Sequence, residues 1–343
     1  MFWFLRNPTS SRAPFLRRIA ETPKAFFRIW QSAKWSPIGI HIGDDAVKAV
    51  QLTNNGKSMD LIAGGSETQP ENVKPGSSNW QRWAVQAIRK LTENGKFRGK
   101  DVWAAMPADE VFVDHIKMPK MKDRFGSDSE LQDAVFSKIK HTLPFEPNEA
   151  MVKCIPAEEN NVVVLAAQRK IVDRHLAIYE KANLQIKTIG VWPIALVNSY
   201  ARFFGRRKTD IEAVVMLLEM DANRTNVVIC RHKNLLFARS IPIGTKQFDN
   251  DEIFARLMLE LTACRRHFGS MYRKAQIERL VFLTSQAQMR SVCEKIAKQM
   301  EMPAQIGDCL AAVKMASPDR AGIDRRNCSH LIISTRHRTG FSL

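Results

Sequence analysis

Close cysteine pairs are missing from this chain. Its six cysteines, Cys154, Cys230, Cys264, Cys293, Cys309 and Cys328, are scattered through 343 residues without short spacings. That argues against a disulfide framework and reads as free thiols in a reducing compartment. Long apolar runs are missing as well. No stretch approaches the roughly 20 residues needed to span a bilayer. The opening Phe2-Trp3-Phe4-Leu5 is shorter than the roughly 7 apolar residues of a secretory leader, so the expected location is the cytoplasm. The usual catalytic signatures are absent too: no Gly-x-Ser-x-Gly, His-Glu-x-x-His or Walker sequence occurs. Cys264-Arg265-Arg266-His267 offers two ligands on one helix, short of the four of a structural zinc site. His115 and His141 lack an evident partner in sequence and read as structural or surface residues.

Acidic residues are in short supply. Asp and Glu number 35 against 52 Lys and Arg, a formal charge of +17. Such a surplus favours a polyanionic partner, whether nucleic acid, anionic lipid or an acidic protein face. The surplus is uneven. Residues 1–36 hold seven basic side chains against Glu21, and Pro8, Pro14 and Pro23 cut the stretch into short pieces. Within it, Arg17, Arg18, Phe26, Phe27, Arg28 and Trp30 mix basic and aromatic residues at near-helical spacing, the pattern of a membrane-surface segment. No recognisable reader module accompanies the charge, which argues against nucleic acid as the partner.

What remains is ample for folding. The hydrophobic fraction is 45%, and the length suits two domains. From Pro37 the pattern reads as strand, turn, strand, hairpin, strand: Ile38–Ile42, Gly43-Asp44-Asp45, Ala46–Leu52, Asn54-Asn55-Gly56, then Met59–Ala63 closed by Gly64-Gly65. A helix follows over about 79–92, then a strand from Asp101 to Met106, closed by Pro107. The same unit returns later. Ala213–Met220 is a strand, Asp221-Ala222-Asn223-Arg224 a turn, Thr225–Cys230 a strand, and Leu235–Ile241 a third. Between the copies lies a separate α+β module, with strand-like residues 111–118, a helix over 129–140 broken at Leu143-Pro144-Phe145, a buried strand over 162–167 and a helix over 170–182. A long helix over 249–268, a strand over 277–284 and a helix over 287–300 close the ordered part.

A duplicated strand–turn–strand hairpin whose turns offer backbone N–H groups to anions is the device of actin-fold proteins. Within them, the chain resembles the PilM-type proteins of type IV pilus assembly and DNA uptake. The resemblance rests on Ile38-Gly39-Ile40-His41-Ile42-Gly43-Asp44-Asp45-Ala46-Val47-Lys48, on Met106-Pro107 and Ile116-Lys117-Met118-Pro119, and on the helix end Lys138 to Phe145. Ala166 to Lys170 and Phe237 to Gly244 extend it, from about residue 37 to 310. It implies an α/β protein of actin-like (ribonuclease H-type) duplicated domains with an inserted small α+β subdomain. The expected division is a basic N-terminal segment (1–36), a first subdomain (37–108 plus 187–208), the insert (109–186), a second domain with a truncated nucleotide-flanking part (209–317) and a basic tail (318–343).

The departures from the family pattern set the functional expectation. His41 stands where the family carries the Asp that positions Mg²⁺, and imidazole is a poor ligand for that hard ion. Glu219-Met220-Asp221 replaces Asp-Ile-Gly, adding a side chain and a negative charge where backbone should approach phosphate. Gly190-Val191-Trp192-Pro193 and Ser285-Gln286-Ala287 replace further nucleotide contacts. The expectation is a chain without ATP hydrolysis, with ATP and Mg²⁺ bound weakly or not at all. Gly43, Asp44, Asp45 and Lys48 are the remnant phosphate turn. The resemblance further implies a peripheral position on the inner face of the cytoplasmic membrane. It implies a PilN-like inner-membrane protein as partner, whose N-terminal peptide would be lined by Met106, Pro107, Val111, Ile116, Met118, Leu143, Pro144 and Phe145. An anionic membrane surface and a second copy of the chain are further candidate partners. The alternative is an ATP-binding actin-like ATPase of a pilus or type II secretion-like system.

Overall fold

The computed structural model describes residues 35–43, 45–54, 59–119, 128–284, 289–307 and 313–315. The membrane-surface residues Arg17, Arg18, Phe26, Phe27, Arg28 and Trp30, together with Asp44, the Asn55-Gly56 turn, Ser285-Gln286-Ala287 and the basic tail, lie outside them.

Two sheets carry the body. In the first, β1 (Ile38–Ile42) pairs antiparallel with β2 (Ala46–Asn54), and β2 with β3 (Met59–Thr68). On the other side of β1 runs β4 (Asp101–Met106), and beside it β8 (Gln185–Val191), both parallel. In the second sheet, β9 (Val214–Met220), β10 (Thr225–Arg231) and β11 (Asn234–Ile241) repeat the antiparallel meander, and β12 (Ile277–Leu283) and β13 (Ala304–Gly307) repeat the parallel pair. The strand orders β3-β2-β1-β4-β8 and β11-β10-β9-β12-β13 are the same path written twice. Strand β14 (Lys314–Met315) returns from the second half to pair with β3.

The glycines of β3 correct the sequence reading. Gly64 and Gly65 do not end the strand; they pair with Val50 and Ala49 inside it. The reason is the helix above. In α1 (Ser78–Asn94), capped by the Ser77 hydroxyl on the Trp80 N–H, the buried stripe Trp80, Ala84, Ala87, Ile88 and Leu91 lies on the sheet. A Cβ at Gly65 would stand 2.9 Å from the Leu91 Cδ2. The glycine admits the helix rather than breaking the strand.

The inserted module is a three-stranded antiparallel sheet of β5 (Phe112–Lys117), β7 (Asn161–Gln168) and β6 (Ala150–Pro156), with β7 central. Strand β6 and the first-domain strand β8 carried no separate signal in the sequence reading. Helix α2 (Asp128–Ile139) covers the outer face through Leu131, Val135 and Ile139, packed on Val152, Cys154, Val162 and Val164. The inner face, with Val163, Leu165 and Met151, joins Val191, Trp192 and Leu196 of the first half and Val215, Leu217 and Val281 of the second in one cluster. Helix α3 (Arg169–Lys181) leaves the insert: Ile178 and Tyr179 sit in the first-sheet core with Ile88 and Trp80. Helix α4 (Trp192–Phe203) and the short α5 (Lys208–Glu212) connect the halves, and α6 (Asp251–Met271) and α7 (Arg290–Met300) cover the second sheet. No helix among the described residues is long and apolar enough to cross a membrane.

Candidate functional site: the cleft between the two hairpin turns

The repeat places two like turns in facing positions. The pair Ile42↔Val47 brackets the first, and Met220↔Thr225 the second. The first turn closes with the Gly43 N–H donating to the Ala46 carbonyl at 2.9 Å, the second with the Asp221 N–H donating to the Arg224 carbonyl at 2.9 Å. The second turn is backed by Gly244, whose missing side chain is a packing requirement. A Cβ there would lie 2.4 Å from the Ala222 carbonyl and from the Asn223 and Arg224 nitrogens. Thr245 and Lys246 N–H groups donate to the Asp221 and Ala222 carbonyls at 2.9 and 3.1 Å, so the chain after β11 grips the turn directly.

Lys48 points from β2 into the space between the turns. It is 4% exposed and is the one buried lysine or arginine among the described residues. Its Nζ lies 3.7 Å from the Asp45 Oδ1 of the first turn and 3.7 Å from the Asp221 Oδ1 of the second. Burial pulls the lysine pKa down most strongly; Asp221, Asp45 and Glu219 together outweigh it, and the net shift is upward. The lysine is therefore an ammonium held by carboxylates from both halves. A second pair crosses beside it, Arg224 of the second turn to Asp109 after β4, at 4.0 Å. Glu219 accepts from the Asn226 Nδ2 at 2.9 Å. His41 is directly opposite Lys48 across the β1–β2 pair, so both side chains share one face. Its Nδ1 lies 3.4 Å from the Ala105 carbonyl. Of the remnant turn, the structure thus brings Asp45 and Lys48 into contact and keeps Gly43 in the closing hydrogen bond; Asp44 is not among the described residues.

The residues expected to line a peptide separate into two sets. Met106, Pro107, Val111 and Met118 are buried, Met106 completely. Ile116, Leu143 and Phe145 are partly buried on the outer cluster of the insert, and Pro144 is exposed beside them. Strand β5 is an edge of its sheet.

Two polar clusters escaped the sequence reading because their members are far apart in the chain. Glu110 is clasped by Arg174 and His175 of α3, while the Arg174 guanidinium lies 5.3 Å over the Trp80 ring of α1. Burial raises the Glu110 pKa, and His175 and Arg174 more than reverse that, leaving it below the usual carboxylate value. His115 of β5 stacks on Phe237 of β11 at 4.4 Å and accepts the Ala238 N–H at its Nε2, 3.1 Å away. Burial and then the neighbouring His267 push its pKa down to about 3. Of the two readings offered by the sequence, structural or surface, the structural one holds for His115, which joins the insert to the second half. Cys264 is wholly buried in the second core, while His267 is exposed on the same helix. No three potential metal ligands come together among the described residues.

A family model described as type IV pilus assembly protein PilM matches residues 39–265. The chain belongs to the PilM family. Among solved structures, the PilM-PilN type IV pilus biogenesis complex is similar with a TM-score of 0.72 and 18% identity, covering 88% of this chain and 98% of that one. The cytoplasmic domain of EpsL, an inner-membrane component of the type II secretion system of Vibrio cholerae, follows at 0.49 and 9% identity, covering 86% and 92%. EutJ, an ethanolamine utilization protein from Carboxydothermus hydrogenoformans, stands at 0.48 and 10%, covering 88% and 89%. No curated protein matches in sequence. The doubled sheet is the actin-like fold, and the two facing turns of this PilM-family chain are its two hairpin turns.

Proposed function

We propose that this PilM-family chain is a non-catalytic scaffold at the cytoplasmic face of the inner membrane, holding the N-terminal peptide of a PilN-like membrane protein. The observation that carries the reading is the Lys48 ammonium already neutralised by Asp45 and Asp221 in the cleft. A magnesium triphosphate does not fit these residues. His41 offers nitrogen where Mg²⁺ wants oxygen, and Asp221 would meet phosphate charge with like charge. The cleft is read here as a structural joint.

The partner reading is supported by family membership and by the outer face of the insert. Ile116, Leu143 and Phe145 are partly buried on the outer cluster of the insert, Pro144 is exposed between the last two, and β5, which carries Ile116, is an edge strand. An edge strand with apolar neighbours is a place where an extended peptide can add main-chain hydrogen bonds to a sheet and seat alternate side chains. Of the buried members of the expected lining, Met118 belongs to the same outer cluster, whereas Met106 and Val111 sit in the inner one. Calorimetry addresses both halves of the proposal. Titration with ATP, with and without Mg²⁺, is expected to give no heat at high micromolar nucleotide, whereas the N-terminal peptide of a PilN-like protein is expected to bind and to lose affinity in Phe145→Ala. Clear Mg²⁺-dependent ATP binding would return the chain to the ATPase alternative, and absence of peptide binding would remove the scaffold reading.

A further inference from the structure

The first-half lysine and the second-half aspartate make an unusual joint. Lys48 stands on β2 of the first sheet, Asp221 at the tip between β9 and β10 of the second. The ammonium is 3.7 Å from each carboxylate, beyond hydrogen-bond length, so it is shared between the turns rather than seated on one. Asp45 Oδ1 is buried without a hydrogen-bond donor, which leaves Lys48 as its compensating charge. Asp221 Oδ1 is oriented by the Ala222 N–H at 2.9 Å, and the Asp221 carbonyl is fixed by Thr245. The carboxylate is therefore placed by backbone and aimed across the cleft. Arg224 and Asp109 repeat the crossing with the charges exchanged, the cation now on the second half.

We propose that Asp221 is a resident anion: its carboxylate fills the oxyanion position on Lys48, latches the two halves without a ligand, and masks a site that would otherwise hold a triphosphate. This rests on the reading of the cleft as a joint, and it adds how the joint is made. A glycine at 221 would remove both the latch and the like-charge barrier, leaving the Lys48 ammonium open to phosphate oxygens.

The probe is sodium tripolyphosphate, read by thermal melting of the full chain at fixed ionic strength. Asp221→Gly is expected to lower the midpoint by about 2–4 °C. Tripolyphosphate is then expected to restore it, with at least about tenfold higher apparent affinity than for the unaltered chain, since a like charge has gone. The double variant Asp221→Gly with Lys48→Met should show no such restoration. Asp221→Asn, which keeps the side chain and the Ala222 contact, should lie between. Equal tripolyphosphate response in all variants would mean that the polyanion binds the basic surface at large, and would overturn the masking. Additive effects of Lys48→Met and Asp221→Asn on the midpoint would overturn the latch. Peptide binding by the unaltered chain is measured separately, so failure of the scaffold reading would not be confused with failure of this one.

Discussion

His115 shows how one residue couples the insert to the second domain. Its Nε2 accepts a backbone N–H, so the ring must stay neutral, and burial with the nearby His267 lowers its pKa to about 3. The unfolded histidine titrates near 6.5. Between those values the unfolded chain holds a proton that the folded one refuses, so stability is full above about pH 6.5 and is lost as pH falls. The slope is at most about 1.4 kcal/mol per pH unit for one proton. His115→Gln, which keeps an acceptor for Ala238, is expected to flatten urea-unfolding stability between about pH 6 and 4 relative to the unaltered chain. An unchanged slope would show that His115 does not titrate in this way. Gly244 makes the second residue-scale prediction. Because a Cβ would meet backbone at 2.4 Å, with no side chain able to move aside, Gly244→Ala should cost about 1–3 kcal/mol, seen as a lower urea midpoint with an unchanged slope of the transition.

Among the elements, β3 and α1 show how a strand pattern is set by what lies above it. Gly65 sits under Leu91, and the helix stripe presses on the sheet along Ala84, Ala87 and Ile88. Gly65→Val should strengthen the strand by propensity yet destabilise the protein by about 1–3 kcal/mol through overpacking. Adding Leu91→Ala should recover part of that loss, and a denaturation cycle over the four proteins would measure the coupling. The hairpins make the opposite case. The turns at Gly43 and Asp221 fall where their sequences place them, because apolar strands of matching length flank short polar segments. Helix α3 differs again: continuous in sequence with the insert, it spends its apolar stripe on the first sheet, since Ile178 and Tyr179 find Ile88 and Trp80 there.

At the scale of the molecule, two copies of one sheet path and an insert all contribute to one apolar cluster beside cores of their own, while charge pairs join the two halves. The copies were legible in the sequence because short apolar strands separated by polar turns occur twice in the same order and with similar lengths. The altered turn residues His41 and Asp221 were legible too, as departures from a recognisable pattern. Their consequence was not. Asp45 is three residues from Lys48 and local to it, but that Asp221 comes equally close follows from the packing of one half on the other, and no local spacing encodes it. The same holds for Glu110 with His175 and for His115 with Phe237, pairs separated by 65 and 122 positions whose meeting needs the whole fold.

By itself, then, the sequence determined most of the strands and helices, the duplication, the two turns and the family resemblance, because periodicity and turn chemistry act over a few residues and are written locally. Only the tertiary structure decided which peptide-lining candidates are buried and which are partly exposed, why two glycines sit within a strand, and that a carboxylate of the second half shares the buried lysine. Burial, close approach and charge pairing depend on distances between segments remote in the chain, and those distances exist only once the two halves have packed.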